Sequence, residues 1–316
     1  MERLGNSKGP AQTILEHGRY ENRLHSICRV YLPAVLTVQN MPKSIRLRPE
    51  IRKHYNRVEE RSRLFKEAGE LEFHRTKELI SRRIRRKPLT ILDVGGGPGA
   101  YACWLARLGH TVHLVDAVPL HVQQARVASK SQPGTPLASA SLGDARNLKF
   151  GDKTSDIVLL LGPLYHLVEK PDRQKALSEA FRTLKPGGLL FAAVISRFAS
   201  ALDGLFQNFI QDENFFKIVR QDLKLGQHRN PTNHPEYFTT AFFHRPNELQ
   251  DEIRKAGFEQ PQLFAVEGPA WLLPDFRKVW GNPRLRSRML TILEQTEHEP
   301  ALMGQSAHIL AIALKK

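Results

Sequence analysis

Between positions 90 and 195 the chain alternates short apolar runs with stretches whose apolar residues recur every three or four positions. The runs fall at 90–94, 111–115, 138–141, 156–161 and 189–195, each bounded by Gly, Pro or Asp and most of them rich in Val, Ile and Leu. Those lengths suit strands and are too short for helices. Helical periodicity occupies the gaps at 101–108, 120–129 and 174–184. Strands that alternate with helices predict a parallel sheet covered on both faces. Ahead of this block, 49–86 reads as helical, with Leu71, Phe73, Leu79, Ile80 and Ile84 as its apolar face. Residues 1–48 have weak periodicity and scattered Gly and Pro, and form an extension outside the main domain.

The alternation breaks after Ile195. About fifty residues rich in Phe and His intervene, including "FFKIVRQDLKLGQHRNPTNHPEYFTTAFFHRP", before a helical segment "NELQDEIRKAGF" and two apolar runs, "QLFAVEG" and "SAHILAIALKK". An insert this long predicts a lid or binding element. The expected organisation is one domain over 49–316, with an N-terminal helical segment at 49–88 and a cap at 196–245. Arg197, Phe198, Phe206, Phe209, Phe242 and Phe243 are read as the cap around an apolar or aromatic substrate, and Trp271 as a further wall.

Composition narrows the classes. A hydrophobic share of 41% is ordinary for a soluble domain, and no apolar stretch reaches the roughly 20 residues of a spanning helix, so no membrane partner is expected. The N-terminus lacks an apolar core with a small-residue cleavage site, which predicts a cytoplasmic protein. Cys28 and Cys103 form no CxxC and are read as reduced thiols. His228, His234, Tyr237 and His244 fit no standard zinc spacing, so no metal is expected. The net charge of +15 is uneven: residues 1–90 hold 21 Lys and Arg against 10 Asp and Glu. The densest run, "RRIRRKP" at 82–88, suits either an RNA-binding patch or the solvated end of a helix, and lacks the interleaved aromatics of a stacking platform.

The segment "ILDVGGGPGAYACWLARLGHTVHLVD" (91–116) is strand, glycine turn, helix, strand and acid, the first half of a nucleotide-binding unit. Gly95, Gly97 and Ala100 satisfy the dinucleotide fingerprint, and Asp116 lies where a ribose-binding acid is expected. Three features point to another ligand. Asp93, where a dinucleotide site has an apolar residue, opposes a pyrophosphate and favours a cation. "GDA" at 143–145 offers a second acid beside the third strand. "LKPGGLL" at 184–190 turns tightly from helix into strand. Together "LDVGGGPG", Asp116, "GDA", "SDIVLLLGPLYHL" and "LKPGGLL", in this order, resemble class I S-adenosylmethionine-dependent methyltransferases, from about Arg75 to the C-terminus.

The resemblance implies a Rossmann-like, doubly wound α/β sheet of seven strands whose last strand inserts antiparallel. It implies S-adenosylmethionine as cofactor. Asp93, Gly95 and Gly97 then flank its methionine part, and Asp116 with Ala117 meets the ribose. Asp144 and Ala145 meet the adenine, and Leu161 with Gly162 lines the cofactor at the fourth strand's end. Pro98 is a departure from the usual turn and removes one backbone donor. An NAD-dependent dehydrogenase is the alternative left by the glycine pattern alone.

Methyl transfer is an in-line displacement that needs alignment and exclusion of water, and a protonated acceptor also needs a base. "GPLYHLVEK" follows the fourth strand at the sheet's ligand-binding edge. His166 is the candidate base there, with Tyr165 orienting an acceptor; packing beneath the cofactor is the competing role for both. Tyr55 is expected to close over the site from the N-terminal helix. No N/D-PPY motif of amino-group enzymes is present. The leading expectation is methylation of an O or N on a small molecule. An RNA or protein methyltransferase docking through the basic N-terminal segment, and a non-catalytic cofactor-binding protein, are the competing readings. Oligomeric state is open.

Overall fold

The computed structural model describes residues 45, 47–57, 60–84, 88–232 and 234–316. The extension before residue 45 and positions 85–87 of the basic run lie outside the described residues. Five parallel strands, β1 (Thr90–Val94), β2 (Thr111–Asp116), β3 (Ser139–Leu142), β4 (Ser155–Leu160) and β5 (Leu184–Ile195), carry the main sheet. A two-residue pair, β6 (Gln227–His228) and β7 (Ala241–Phe242), stands apart. The sheet is completed by β8 (Glu259–Ala265) and β9 (His308–Leu314) in the order β3-β2-β1-β4-β5-β9-β8. β9 runs antiparallel between β5 and β8. The expected seven-stranded Rossmann-like sheet with an antiparallel last strand is the observed one.

Thirteen helices flank it among the described residues: α1 (Pro49–Arg57), α2 (Glu60–Arg63), α3 (Ala68–Ser81), α4 (Ala100–Arg107), α5 (Pro119–Lys130), α6 (Pro163–His166), α7 (Lys170–Thr183), α8 (Ala199–Phe206), α9 (Glu213–Leu225), α10 (Pro246–Lys255), α11 (Phe276–Gly281), α12 (Pro283–Thr296) and α13 (Pro300–Met303). The pleat sends alternate residues to opposite faces. Leu92, Val158 and Leu190 pack toward Leu177 of α7 and Ile253 of α10. Ile91, Leu159 and Phe191 pack toward Ile80, Leu105 and Ala125 of α3, α4 and α5. Both faces are buried, so the strands read as apolar runs.

Two regions differ from the sequence expectation. The described residues of the helical segment form α1, α2 and α3. The chain turns between α2 and α3, where Glu67 has a left-handed φ of 51°, so α1 and α2 separate from α3 and lie over the sheet edge. The β8–β9 connection, which the periodicity left without helices, holds α11, α12 and α13. Its Ala270, Phe276, Met289 and Leu293 bury Leu71 of α3. Arg75, on that same helix, is fully buried and pairs with Glu78 and Glu297, while its Nε donates to the Val266 carbonyl. A buried arginine matched by two carboxylates leaves no periodicity signal.

The insert at 196–245 has its own small cores. Phe215, Ile218, Val219 and Tyr237 form one; Ile195, Ala199, Ala241 and Phe243 pack on Tyr165 in another. Asp212 starts α9 by accepting from the amides of Asn214 and Phe215, a side-chain N-cap. None of Phe198, Phe206, Phe209, Phe242 and Phe243 lines the cavity at the carboxyl ends of β1, β2 and β4: Phe209 meets Phe215, Phe242 lies 3.8 Å beneath the Arg173 guanidinium, and Phe206 faces solvent.

Candidate active site

The carboxyl ends of β1, β2 and β4 open into a cavity roofed by α1 and α2. Its floor is the turn after β1. There the Gly95 amide donates to the Val115 carbonyl at 2.7 Å, and the chain takes a φ of 73°. A Cβ at Gly95 would lie 2.6 Å from the Pro163 ring, so glycine is required on both counts. Gly99, with φ 91°, begins α4 without a capping side chain. In the first turn of that helix the Ala102 amide donates to Asp93, and no side chain caps the turn.

Three acids stand around this floor. Asp93 is 1% exposed, and its Oδ2 has no partner among the described residues. Burial, reinforced by the Asp116 charge, pushes its carboxyl up to about 7. The Ala102 amide, which donates to this carboxylate, offsets only part of that rise, and a buried carboxylate with one oxygen unmatched calls for a cation or a proton. Asp116, at the end of β2, accepts from the Gly97 and Val118 amides, both at 2.8 Å, and lies 3.3 Å from His121 Nδ1. Asp144 accepts from Arg146 through its backbone amide and its guanidinium, and Arg146 reaches Asp172 at 2.7 Å. Ala117, Ala145, Leu161 and Gly162 line the same space.

Beyond β4, α6 presents Tyr165 and His166. Tyr55, on α1, places its hydroxyl 2.5 Å from His166 Nε2, while His166 Nδ1 is buried without a partner. Burial holds His166 down to about 3, so its ring is neutral over the physiological range. Burial likewise raises the Tyr55 and Tyr165 hydroxyls above the usual phenol range. The insert closes this corner. Phe238 stacks 6.1 Å from His166 and edges onto His54, and Thr239 donates to the Glu50 carbonyl of α1.

At the far end Arg63 spans Glu60, at 2.8 Å, and Glu72, at 2.5 Å, beside Tyr101 and Tyr165. Glu72, Glu267 and His308 bring ligand atoms within 4.8 Å of one another. Their charges are already matched. Arg63 holds Glu72, and His308 donates to Glu267 at 2.6 Å. Although burial pulls His308 down, the Glu72 and Glu267 carboxylates hold its imidazolium up to about 9.

The fold thus brings together Tyr55, Asp93, Gly95, Gly97, Asp116, Ala117, Asp144, Ala145, Leu161, Gly162, Tyr165 and His166 around one cavity. It does not bring Arg197 and Trp271 there. Arg197 is buried in the insert, donating to the Phe243 carbonyl and to Glu248, and so fastens the insert to α10. Trp271 donates to the Gln305 carbonyl in the β8–β9 connection. His228 and His244 are also internal. His228 uses both nitrogens, on Asp222 and the Tyr237 carbonyl, and His244 faces Glu252. Sequence reasoning missed His121, Arg63, Glu72 and Arg146 as cavity residues. Only His121 carried a signal, since it lies on the first turn of the helix after Asp116.

Residues 92–192 match a family model described as a methyltransferase domain. The chain is 32% identical over 120 residues to a ubiquinone biosynthesis O-methyltransferase of Methylobacterium nodulans, covering 37% of this chain and 46% of that protein. The chain thus spans about half the length of this relative. It is 26% identical to the ubiquinone/menaquinone biosynthesis C-methyltransferase UbiE of Acidiphilium cryptum, over 70% of this chain and 87% of that one. The PH0226 protein of Pyrococcus horikoshii shares the fold, with a TM-score of 0.55 at 15% identity, over 84% of this chain and 99% of that one.

Proposed function

We propose that this class I S-adenosylmethionine-dependent methyltransferase alkylates a hydroxyl oxygen of an enclosed aromatic small molecule, held between α1, α6 and the 238–240 segment of the insert. The family's cofactor fits the residues present. The unpaired Asp93 Oδ2 is suited to a cationic ligand, and the side-chain-free Gly95 and Gly97 let backbone approach closely. Asp116 keeps lone pairs toward the cavity for ribose hydroxyls. Asp144 and Ala145 suit the adenine edge, and Arg146 fixes the plane of the Asp144 carboxylate.

Bound there, the sulfonium supplies an electrophilic methyl group. The chain's residues supply the rest: α1 and the insert exclude water, the glycine turn sets position, and the neutral His166 Nε2 accepts a hydrogen bond from the acceptor hydroxyl and orients it. The Tyr55–His166 hydrogen bond carries this reading. It puts a neutral imidazole nitrogen, already engaged by one phenolic hydroxyl, at the sheet edge where an acceptor must arrive. An acceptor phenol takes the place of the Tyr55 hydroxyl on Nε2. The two ubiquinone-related relatives support an aromatic acceptor without fixing it.

Calorimetric titration of S-adenosylmethionine into wild-type protein and Asp116→Ala tests the cofactor site, with saturable binding expected in the first and at least about tenfold weaker binding in the second. A screen of phenols, amines and short RNAs with labelled cofactor then tests the acceptor. Transfer to phenols that collapses in His166→Ala is expected. Transfer to RNA or amines alone would overturn the acceptor assignment while leaving the cofactor assignment intact.

A further inference from the structure

Twelve large apolar side chains are markedly exposed among the described residues, and six of them fall within 205–225: Leu205, Phe206, Ile210, Phe216, Leu223 and Leu225. Leu205 is 61% and Phe206 57% exposed. They sit on α8, the single turn at Phe209–Gln211 and α9, three elements that pack on one another through Gly204, Phe209 and Phe215. The inward face of α9 is fully used by Phe215, Ile218, Val219 and Asp222. Its outward face carries Lys217, Arg220 and Lys224, all exposed, and none forms an ion pair with a described residue. At 3.6 residues per turn these three cations make one stripe, and Phe216 and Leu223 lie together along its flank.

We propose that this face of the insert docks on an anionic lipid surface. Exposed Leu, Phe and Ile beside unpaired Lys and Arg is the composition that enters a headgroup layer, apolar groups reaching the acyl boundary and cations meeting lipid phosphates. A nucleic acid would match the cations and leave the apolar groups in water. A second copy of this chain would match the apolar groups but bring the same three cations against themselves, on a protein of net charge +15. The absence of a membrane-spanning helix among the described residues bears on insertion across a bilayer, not on lying against one.

The docking face is joined to the cavity. The same insert sends Phe238 onto His54 and Thr239 onto the Glu50 carbonyl of α1, the helix that roofs the cavity and carries Tyr55. A protein seated by α8 and α9 therefore has its roof helix tied to the seated element, a placement suited to an acceptor dissolved in lipid.

Co-sedimentation of the full chain with vesicles of phosphatidylcholine alone, and of phosphatidylcholine with phosphatidylglycerol, tests this directly. Binding only to the anionic vesicles, weakened at least about tenfold by Lys217→Glu with Arg220→Glu and Lys224→Glu, and comparably by Leu205→Ser with Phe206→Ser, is the expected result. Both variants change exposed side chains, and cofactor affinity measured in parallel reports that each is folded. No sedimentation with anionic vesicles, or sedimentation untouched by either variant, overturns the proposal. So does a concentration-dependent dimer that Leu205→Ser with Phe206→Ser dissolves, which would assign the face to a second copy.

Discussion

The rim of the cavity and the insert at 196–245 are both rich in histidine and acid, yet they place those groups differently. In the insert, His228 spends both ring nitrogens, Ser200 and His228 share Asp222 Oδ2, and Arg197 is bonded to Phe243 and Glu248; Asp222 Oδ1 and His244 Nδ1 are left without a partner, but away from the cavity. At the rim, Asp93 Oδ2, His121 Nε2 and His166 Nδ1 are buried and lack partners. A buried polar group left unmatched destabilises the fold. Leaving three around one cavity makes sense where a ligand completes them. The difference teaches how to read a His-rich segment: residue type nominates a site, and unmatched groups gathered on one cavity locate it.

Changes at the rim are therefore expected to remove ligand functions, and changes in the insert to remove stability. The largest effect belongs to Gly95→Val. It combines the 73° φ with contact against Pro163, and is expected to abolish cofactor binding in calorimetry and lower stability by ~3 kcal/mol. His166→Ala comes next, with single-turnover methyl transfer falling ~10²-fold while cofactor affinity holds within about threefold. An equal loss in both would make His166 a packing residue.

Asp222→Ala tests the other side. It strips the partner from Ser200 and His228, and should lower unfolding free energy in urea by ~2–4 kcal/mol with little change in cofactor affinity. If affinity fell first, the contrast between the regions would break.

Asp93 gives a pH test. Its folded-state value of about 7 lies above the ~3.9 of an unfolded chain. The native state then holds a proton that the unfolded state has released, so this contribution to stability is complete below about pH 4 and is lost as pH rises through 7. Relative to Asp93→Asn, the unliganded wild type should lose thermal stability over that window, and a parallel pair of curves would refute it. The smallest effect is expected of Trp271→Ala, whose indole bonds the Gln305 carbonyl away from the cavity. Calorimetry should find cofactor binding unchanged.

Much of the site was legible because it lies where strands end. Asp93, Asp116, Asp144 and His166 each follow an apolar run, and in a parallel sheet consecutive strand ends converge on one edge. Tyr55 was legible as a helical aromatic that closes over the site, but its bond to His166, between residues 111 positions apart, was not. Arg197 and Trp271 were misplaced for the converse reason. Each belongs to a connection whose path is set by packing, and neither carries a periodic signal.

By itself the sequence determined the alternation of strands and helices, the parallel core and the glycine turn, because these depend on local period and on backbone conformations open chiefly to glycine. Only the tertiary structure decided that the chain turns between α2 and α3 and that α11 and α12 cover α3. It alone settled which histidines are satisfied and which apolar groups of the insert face outward. Those outcomes turn on contacts between segments far apart in the chain, where packing overrides propensity and a side chain's partner is not its neighbour in sequence.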